Sequence, residues 1–271
     1  MDKLTPAQMW QACVKSMLYG WTRLGGAPRP TVEQWKYAVI VGSLLLLGGN
    51  GGVVWGEQQV PSGIAALIIA TVPLWMALIA WATGARPRPQ PLEWLGLILG
   101  FTGILWLISP SLASVSGAIN SYYLIVVLAA ISWAWGSIYS RKANWPDSAW
   151  LAIGMQMLAG GLACLGASIL LGEAGRLDLN EVTMQSWLAF GYLVLFGSLV
   201  GYSAYIWLLK NADPLWVSTY AYVNPVVAVL LGWFWAGEEL NSSKLTGAVL
   251  VLAAVVLISI EGNRKKTVKS V

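Results

Sequence analysis

Long apolar runs separated by short polar connections organise this chain of 271 residues. Each run approaches the roughly 20 residues with which a helix crosses the hydrocarbon core of a bilayer. Because the connections are short, consecutive helices are expected to be antiparallel neighbours. The pattern predicts an all-α polytopic membrane protein with about eight full transmembrane helices, near residues 35–56, 61–83, 92–110, 119–140, 148–172, 186–208, 215–236 and 243–261.

The composition supports an integral membrane protein. Charged residues make up 10% of the chain and hydrophobic residues 57%, whereas a soluble domain carries about 25% charged residues. The chain contains no histidine, and Cys13 and Cys164 are isolated in apolar surroundings. We therefore predict no metal site, no cofactor and no disulfide framework.

The first 34 residues depart from this pattern. The stretch Ala7–Trp21 is partly apolar, but Gln8, Gln11 and Lys15 interrupt it, and it is too short to span comfortably. Residues 1–34 are therefore predicted to form a cytosolic or interfacial segment that contains a shortened helix.

Basic residues in the connections predict the orientation in the membrane. With the C-terminus inside, 14 of the 16 lysines and arginines fall on the cytoplasmic side, and only Arg176 and Lys244 fall outside. Such an excess is the signal that orients polytopic proteins. Both termini are predicted to be cytoplasmic, with residues 263–271 as a basic cytoplasmic tail.

An internal repeat relates the two halves of the chain. In the predicted topology span 61–83 runs inward and span 215–236 runs outward, so the two repeats would be inverted in the membrane. Inverted repeats with interrupted helices are typical of secondary transporters; the alternative is a duplicated helical bundle without a transport role. At an offset of 152 residues the matches are Trp35 with Trp187, Gly49 with Gly201, Trp55 with Trp207, Pro73 with Pro225 and Trp81 with Trp233, and at 151 Gly96 meets Gly247.

Span 215–236 contains the strongest candidate for a solute-binding helix. Pro225 lies at its centre and leaves the carbonyl of Ala221 without its helical partner. Trp216, Tyr220 and Asn224 are spaced four residues apart, which predicts one polar face that ends at the proline. Pro73 and Pro225 are predicted hinges, and the equivalent face of the first repeat is apolar.

Polar residues within or beside other spans extend the candidate set. Each has a structural alternative, such as a hydrogen bond to a neighbouring helix or, for Ser137, to a carbonyl one turn back. Glu57 is a candidate for proton coupling or for the cavity mouth, and its alternative is a solvated carboxylate in the headgroup region. The further predicted substrate-binding residues are Asn50, Trp133, Ser137, Gln156, Tyr202 and Tyr205.

Enzymatic and nucleic-acid functions have little support. Intramembrane serine and metalloproteases need histidine, and Asp147, Asp178 and Asp213 all fall in connections rather than in paired intramembrane positions. The basic tail RKKTVK is better explained as a topology signal that faces anionic lipid. We predict that the protein is not an enzyme and does not bind nucleic acid.

Three stretches resemble one transporter family. They are GNGGVVWGEQQVPSGIAALIIATVPLW at Gly49–Trp75, SWAWGSIYS at Ser132–Ser140, and AYVNPVVAVLLG at Ala221–Gly232 with the following Gly237-Glu238. All three are similar to landmarks of the EamA-type drug/metabolite transporter (DMT) superfamily, in particular its YedA-like bacterial inner-membrane exporters. The resemblance implies ten helices in two inverted five-helix repeats around a central cavity.

The chain also departs from that family pattern. The first helix of the family is absent, the shortened helix stands in place of the second, and Gly84-Ala85-Arg86 replaces an expected acidic position. We therefore expect an N-terminally truncated DMT fold, with an incomplete first EamA repeat at residues 35–110 and a second at residues 119–262.

Two functions follow as expectations. The first is a secondary transporter of the bacterial inner membrane, which by resemblance exports small metabolites or drug-like amphipathic solutes by alternating access around a midplane cavity. The second is a non-transporting membrane protein or degraded transporter copy, because the N-terminal helices are missing or shortened. A passive channel is less favoured, because no ring of charge lines a span. The expected partners are a small-molecule substrate and the lipid bilayer, and a homodimer stays open.

Overall fold

The computed structural model describes residues 19, 22, 28–112, 121–172, 183–236 and 242–269, and all its regular structure within these ranges is helical. This confirms the predicted all-α class. The shortened helix predicted before residue 28 lies outside the described residues, apart from Tyr19 and Thr22. The elements are α1 (Val32–Gly42), π1 (Ser43–Gly51), α2 (Gly52–Gly56), α3 (Ser62–Ile69), α4 (Val72–Ala82), α5 (Pro91–Leu112), α6 (Ser121–Ser140), α7 (Ala149–Leu170), α8 (Met184–Tyr192), π2 (Leu193–Tyr202), α9 (Ser203–Asn211), α10 (Pro214–Ser218), α11 (Tyr220–Ala236) and α12 (Ser242–Lys269).

The helices agree in number and place with the predicted spans. Within the described ranges, six helical stretches are long and apolar enough to cross a membrane, and two shorter apolar stretches accompany them. Together they correspond one to one to the eight predictions. The six are Val32–Gly56, Ser62–Ala82, Ser121–Ser140, Ala149–Leu170, Met184–Asn211 and Pro214–Leu231, and the shorter two are Pro91–Leu107 and Lys244–Ile260.

Short polar side chains begin several of these helices. The hydroxyl of Thr31 accepts a hydrogen bond from the backbone N–H of Gln34, and the Gln34 side chain accepts one from the N–H of Thr31. Ser148 and Asp213 similarly accept from backbone N–H groups at the starts of α7 and α10. Such caps satisfy donors that the first helical turn leaves without partners.

Two spans contain long π-helical segments that the sequence did not reveal. π1 covers nine residues and π2 covers ten, whereas most π-helices in proteins are single-turn bulges. A shift of 152 residues places most of π1 on π2, so both repeats carry the same irregularity. In a π turn the hydrogen bond reaches five residues back, so faces read at α-helical spacing no longer hold there.

Two other spans are interrupted by short turns. α3 ends at Ile69 and α4 begins at Val72, with Pro73 in the first turn of α4, where the missing N–H of proline costs no helical bond. α10 ends at Ser218 and α11 begins at Tyr220.

The prediction of a continuous polar helix across residues 215–236 is therefore wrong in one respect. The chain is interrupted at Thr219, and Pro225 lies inside α11, six residues later. The hydroxyls of Ser218 and Thr219 donate to the carbonyls of Leu215 and Trp216. Such local bonds compete with regular helical pairing, which accounts for a break at these two residues rather than at the proline.

The described chain divides into two compact units that interleave the repeats. Unit 1 takes in Met1–Gly51 and Tyr139–Asn211, and unit 2 takes in Gly52–Ile138 and Ala212–Val271. Each unit therefore contains helices from both halves of the sequence.

In unit 1, α1 and α7 meet through glycines. A Cβ built on Gly42 would lie 2.8 Å from the backbone nitrogen of Gly160 and would also collide with the carbonyl oxygen of Gln156. Beside this crossing, Ala38 packs with Leu151 and Met155. Small residues allow helix backbones to approach closely inside a membrane.

In unit 2, α5 and α12 pack closely along their length. Gly96 near the start of α5 faces Ile258, and a Cβ there would lie 2.7 Å from the Ile258 side chain. Gly247 near the start of α12 faces Leu107, with a Cβ 2.7 Å from the Leu107 backbone nitrogen. The start of each helix thus lies against the later part of the other, so the two helices are antiparallel.

Tyr222 fixes α11 against the same pair of helices. Its ring lies over Gly100, where a Cβ would come within 2.6 Å of a ring carbon. Its hydroxyl donates to the carbonyl of Leu97 at 3.1 Å. The core around it includes Ile104 and Val251.

The last helix is longer than the predicted span. α12 continues as helix to Lys269, so most of the predicted basic tail extends this helix.

Candidate functional site

A cavity of about 220 Å³ lies in unit 1 between α7 and α9. The connection between α6 and α7 closes one side of it. Both the connection and the end of α9 are predicted to face the cytoplasm. The lining residues are Ser140, Arg141, Ala143, Asn144, Trp145, Pro146, Ala149, Ala152, Ile153, Gln156, Ile206, Trp207, Leu209 and Lys210.

The cavity runs along one face of α7. Counted from Ala149, the lining residues Ala152, Ile153 and Gln156 lie three, four and seven positions further along the helix. This spacing puts all four on one helical face. Ala149 is exposed, whereas the other three are buried. At 1.5 Å per residue, the distance along the helix from Ala149 to Gln156 is about 10 Å. The cavity therefore extends from the end of the helix toward the interior of the unit.

Gln156 forms the inner wall of the cavity. Its side chain is fully buried, its amide Nε2 donates to the carbonyl of Ala152 at 3.2 Å, and its Oε1 accepts from the hydroxyl of Tyr202 at 3.2 Å. A glutamine amide can make up to four hydrogen bonds. The backbone of Gln156 contacts Gly42 of α1, which fixes this turn of α7 and holds the side-chain amide in one place.

Ser203 lies one turn deeper than the lining residues of α9. It precedes Ile206, Trp207 and Lys210 by three, four and seven residues, so it shares their helical face. Ser203 is buried, and its hydroxyl has no hydrogen-bond partner among the described residues. A buried polar group without a partner is uncommon and calls for a specific reason.

The outer end of the cavity is basic. Arg141 donates from Nη1 to the carbonyl of Leu209 at 2.8 Å, which holds its guanidinium at the rim and satisfies a carbonyl near the end of α9. Lys210 and Asn144 are exposed lining residues. No acidic side chain is among the described residues that line the cavity.

An aromatic group supports this rim. The indole N–H of Trp145 donates to the carbonyl of Ser140 at 2.8 Å. The ring of Tyr37 lies 6.5 Å from that of Trp145 and 6.0 Å from that of Tyr139. These contacts fix the connection after α6 to α1 and keep the rim in place.

The structure brings together two of the predicted site residues in unit 1. Gln156 and Tyr202 share a hydrogen bond, and Gln156 lines the cavity. Tyr205 is buried in α9, and Asn50 is exposed in π1. Tyr202 and Tyr205 lie on either side of the junction between π2 and α9, so they do not share a face through α-helical spacing alone.

The predicted residues of α10 and α11 are separated by the break at Thr219. The indole N–H of Trp216 donates to the hydroxyl of Ser259 at 2.7 Å. Tyr220 is half-buried and Asn224 is exposed. Their roles in solute binding stay predictions.

The remaining predicted residues of unit 2 lie on α6 and in the first repeat. Ser137 is buried and donates to the carbonyl of Trp133 at 2.6 Å, which is the structural alternative given for it above. Pro73 is buried in the first turn of α4. Glu57 is exposed in the turn after α2, and partial burial raises the pKa of its carboxyl group above the ordinary value.

Sequence reasoning missed a buried ionic group in unit 2. Arg86 pairs with both carboxylate oxygens of Glu93 and, at 2.9 Å through Nε, with Asp213. Burial by itself would lower the pKa of Arg86, but the hydrogen bonds and charges of the two carboxylates outweigh it and raise the pKa. Glu93 is fully buried. The contact places the connection after α4 and the connection before α10 at the same end of unit 2, as the predicted topology requires.

The structure gives no reason to assign a metal. Among the described residues, no group of three or more Cys, Asp or Glu side chains is arranged to hold a metal ion. The chemistry of the cavity is instead that of a solute site, with an amide at its inner end and cationic groups at its rim.

Comparison with known proteins identifies the family. The EamA-like transporter family matches residues 7–109 and 120–260. The inner membrane transporter YedA of Escherichia coli (strain K12) is 38% identical over 247 residues, which cover 90% of this chain and 77% of YedA. Protein PecM of Dickeya dadantii (strain 3937) is 27% identical over 97% of this chain and 96% of its own length.

A solved crystal structure shows the same fold. It matches with a TM-score of 0.74 at 17% sequence identity, over 93% of this chain and 87% of the other. Transporter YvbV of Bacillus subtilis (strain 168) is a further relative, at 22% identity over 86% of this chain and 75% of its own length. The chain therefore belongs to the EamA-like transporter family of the DMT superfamily and is a non-enzymatic, multi-pass transporter of the inner membrane.

Proposed function

We propose that the protein exports small metabolites by alternating access between two inverted repeats. The observation that carries this proposal is the packing of α5 with α12. Gly96 and Gly247 are equivalent at the repeat offset of 151 residues, and so are Leu107 and Ile258. The contact of Gly96 with Ile258 and the contact of Gly247 with Leu107 are thus the same contact made twice.

This reciprocity has a direct topological meaning. Two equivalent helices that pack antiparallel with exchanged contacts are related by a local two-fold axis perpendicular to them. An axis of that kind, in the membrane plane, is the relation between inverted repeats in secondary transporters. The packing within unit 2 therefore supports an inverted duplication.

Irregular helices at equivalent positions support movement as well as symmetry. π1 and π2 overlap at the repeat offset, and both repeats contain a short turn before the central proline. π-helical turns are frequent at functional sites, and the ends of helices are where hinges absorb changes in φ and ψ. These segments are the candidates for the parts that change conformation.

The cavity supports the outward direction of transport. Its rim is built from connections that the distribution of lysine and arginine assigns to the cytoplasm, so a solute in the cytoplasm would reach Gln156 from this side. An exporter must take up its solute from the cytoplasm before it releases the solute outside.

The experiment is transport by the full chain in proteoliposomes, with a mixture of small carboxylates, amines and neutral alcohols as candidate solutes. We expect at least one solute to cross faster than in empty liposomes. Gln156→Leu should abolish the difference, because it replaces the buried amide at the inner wall with an apolar side chain.

Gly166→Ala is the matched control in the same helix, because a Cβ on Gly166 meets no atom within 4 Å. It should transport at the parental rate. Tyr220→Ala and Asn224→Ala test the remaining predicted site residues. If no solute crosses faster than in empty liposomes, or if folded Gln156→Leu retains the parental rate, the proposal fails; the first result would favour the non-transporting membrane protein.

A further inference from the structure

We propose that the cavity between α7 and α9 selects small organic anions, holding a carboxylate at the rim beside Arg141 and Lys210 and an uncharged polar end beside Gln156. The proposal rests on the proposed function, because it names the substrate class of the same site. It narrows the expectation of small amphipathic solutes to one sign of charge.

The charges around the cavity give the first argument. Arg141 and Lys210 both line the outer end, and no acidic side chain is among the described lining residues. Asp147 lies in the same connection and is exposed, but it is not part of the lining. A carboxylate at the rim would meet two cationic lining residues, whereas an ammonium group would meet the same two cations and no acidic residue among the described lining.

The guanidinium is also held in position. Its bond to the Leu209 carbonyl ties Arg141 to the end of α9, and Lys210 is the next residue on that helix. A planar guanidinium matches a carboxylate through paired hydrogen bonds, and an ammonium group acts as a point charge beside it. Both cations therefore lie at the same end of the cavity.

The walls and volume limit the solute. The sides between the two ends are apolar, formed by Ala152, Ile153 and Ile206. The volume of about 220 Å³ is below the roughly 300–1,000 Å³ of pockets that enclose drug-sized ligands. The cavity is suited to a short apolar skeleton, such as one ring or a short chain.

The inner end supplies polar groups but no charge. Gln156 presents an amide whose described bonds to Ala152 and Tyr202 use part of its capacity. A hydroxyl or carbonyl oxygen at the far end of a solute would meet this amide at the inner wall.

The test measures binding, so that it does not depend on transport. The full chain in nanodiscs of phosphatidylcholine is titrated calorimetrically with 4-hydroxybenzoate, benzoate and 4-hydroxybenzylamine. These probes share one ring and differ in the sign of the charge or in the distal hydroxyl. We expect 4-hydroxybenzoate to bind at least tenfold more tightly than 4-hydroxybenzylamine.

Two variants test which residues contact the carboxylate and the hydroxyl group of 4-hydroxybenzoate. Lys210→Gln should weaken 4-hydroxybenzoate at least threefold, whereas Lys142→Gln, which removes the same charge from the exposed neighbour of Arg141, should not. Gln156→Leu should weaken 4-hydroxybenzoate to about the affinity of benzoate and should leave benzoate unchanged. The melting temperature of each variant shows that it folds.

Three results would overturn the proposal: equal affinity for the amine and the acid, an equal loss in Lys142→Gln and Lys210→Gln, or an equal effect of Gln156→Leu on both acids. Displacement of 4-hydroxybenzoate by phosphatidylglycerol in the nanodisc would also overturn it, in favour of a lipid headgroup site. Failure here is distinct from failure of the proposed function. Transport of other solutes without anion binding refutes only this inference, and anion binding without transport refutes only the exporter.

Discussion

Replacing Ser203 by alanine should stabilise the solute-free protein. The Ser203 hydroxyl is buried and has no partner among the described residues. Leaving a buried donor or acceptor without a partner costs about 1–3 kcal/mol. Removing the oxygen relieves this cost and gives up a few van der Waals contacts of one atom. We therefore expect the free energy of unfolding of Ser203→Ala to rise by about 1–2 kcal/mol.

Ser137→Ala is the matched control for this substitution. Ser137 is also a buried serine in a membrane helix, but its hydroxyl donates to the carbonyl of Trp133 at 2.6 Å. Removing a hydrogen bond of this kind costs about 0.5–1.5 kcal/mol. The same chemical change should therefore have opposite signs at the two positions.

The assay is reversible unfolding of the purified chain by sodium dodecyl sulfate in mixed micelles, without added solute. Helicity measured by circular dichroism gives the free energy of unfolding for the parent and both variants. If Ser203→Ala were as destabilising as Ser137→Ala, the Ser203 hydroxyl would have a partner within the folded protein, and the reasoning would be refuted.

Three further predictions follow from other features. Glu93→Gln should lower the free energy of unfolding by about 3–5 kcal/mol, since it leaves the buried guanidinium of Arg86 with only the partly exposed carboxylate of Asp213. Asp213→Asn should lower it by less in the same unfolding assay, and equal losses would contradict the difference in burial between the two carboxylates. Gly160→Ala should destabilise unit 1 because its Cβ would lie 2.5 Å from the backbone carbonyl oxygen of Gly42 in α1, whereas Gly166→Ala should be neutral or slightly stabilising; matching melting temperatures would argue against the close crossing of α1 and α7. For Glu57, burial raises the pKa of the carboxyl group in the folded state, so the free energy of unfolding should fall as pH rises from the ordinary pKa of 4.5 through the raised value. Glu57→Gln should flatten this part of the curve of stability against pH. An unchanged curve would assign the slope to another group.

The transmembrane architecture was predictable because hydropathy acts on whole segments. Each span presents an unbroken apolar run, and no other structure satisfies the backbone of such a run in lipid. The repeat was also readable, because glycines such as Gly96 and Gly247 are held in place by contacts that tolerate no side chain. Gln156 was identifiable as a candidate because it is an uncharged polar residue inside an otherwise apolar span.

Other features depend on which helices meet, and a single sequence does not contain that information in readable form. Arg86 and Asp213 were visible as charges in connections, and Glu93 as an acid at the start of span 92–110, but nothing local indicated that the three pair. Their pairing depends on the approach of two connections that are 127 residues apart. Ser203 looked like many other serines, because nothing local distinguishes a hydroxyl with a partner from one without.

The break at Thr219 and the two π segments were missed for a different reason. Pro225 was expected to dominate span 215–236, because proline is the strongest local disruptor of a helix. The competing bonds of Ser218 and Thr219 to carbonyls three residues back interrupt the helix instead. The π segments arise in glycine-containing stretches around Gly49 and Gly201, where the sequence shows flexibility but not which turn replaces the α-helix.

The contact of Gly96 with Ile258 also constrains the order in which the protein is made. Ile258 follows Gly96 by about 160 residues. At roughly 5–20 residues per second, the ribosome completes α12 about 8–30 s after it has completed the start of α5. During that interval α5 has entered the membrane, but the groove that α12 fills, at Gly96 beside Ile258 and at Gly103 beside Val251, has no helix in it. Unit 2 can reach its final packing only when the last helix is inserted, so nascent chains arrested before α12 should keep this groove open to lipid or to insertion factors.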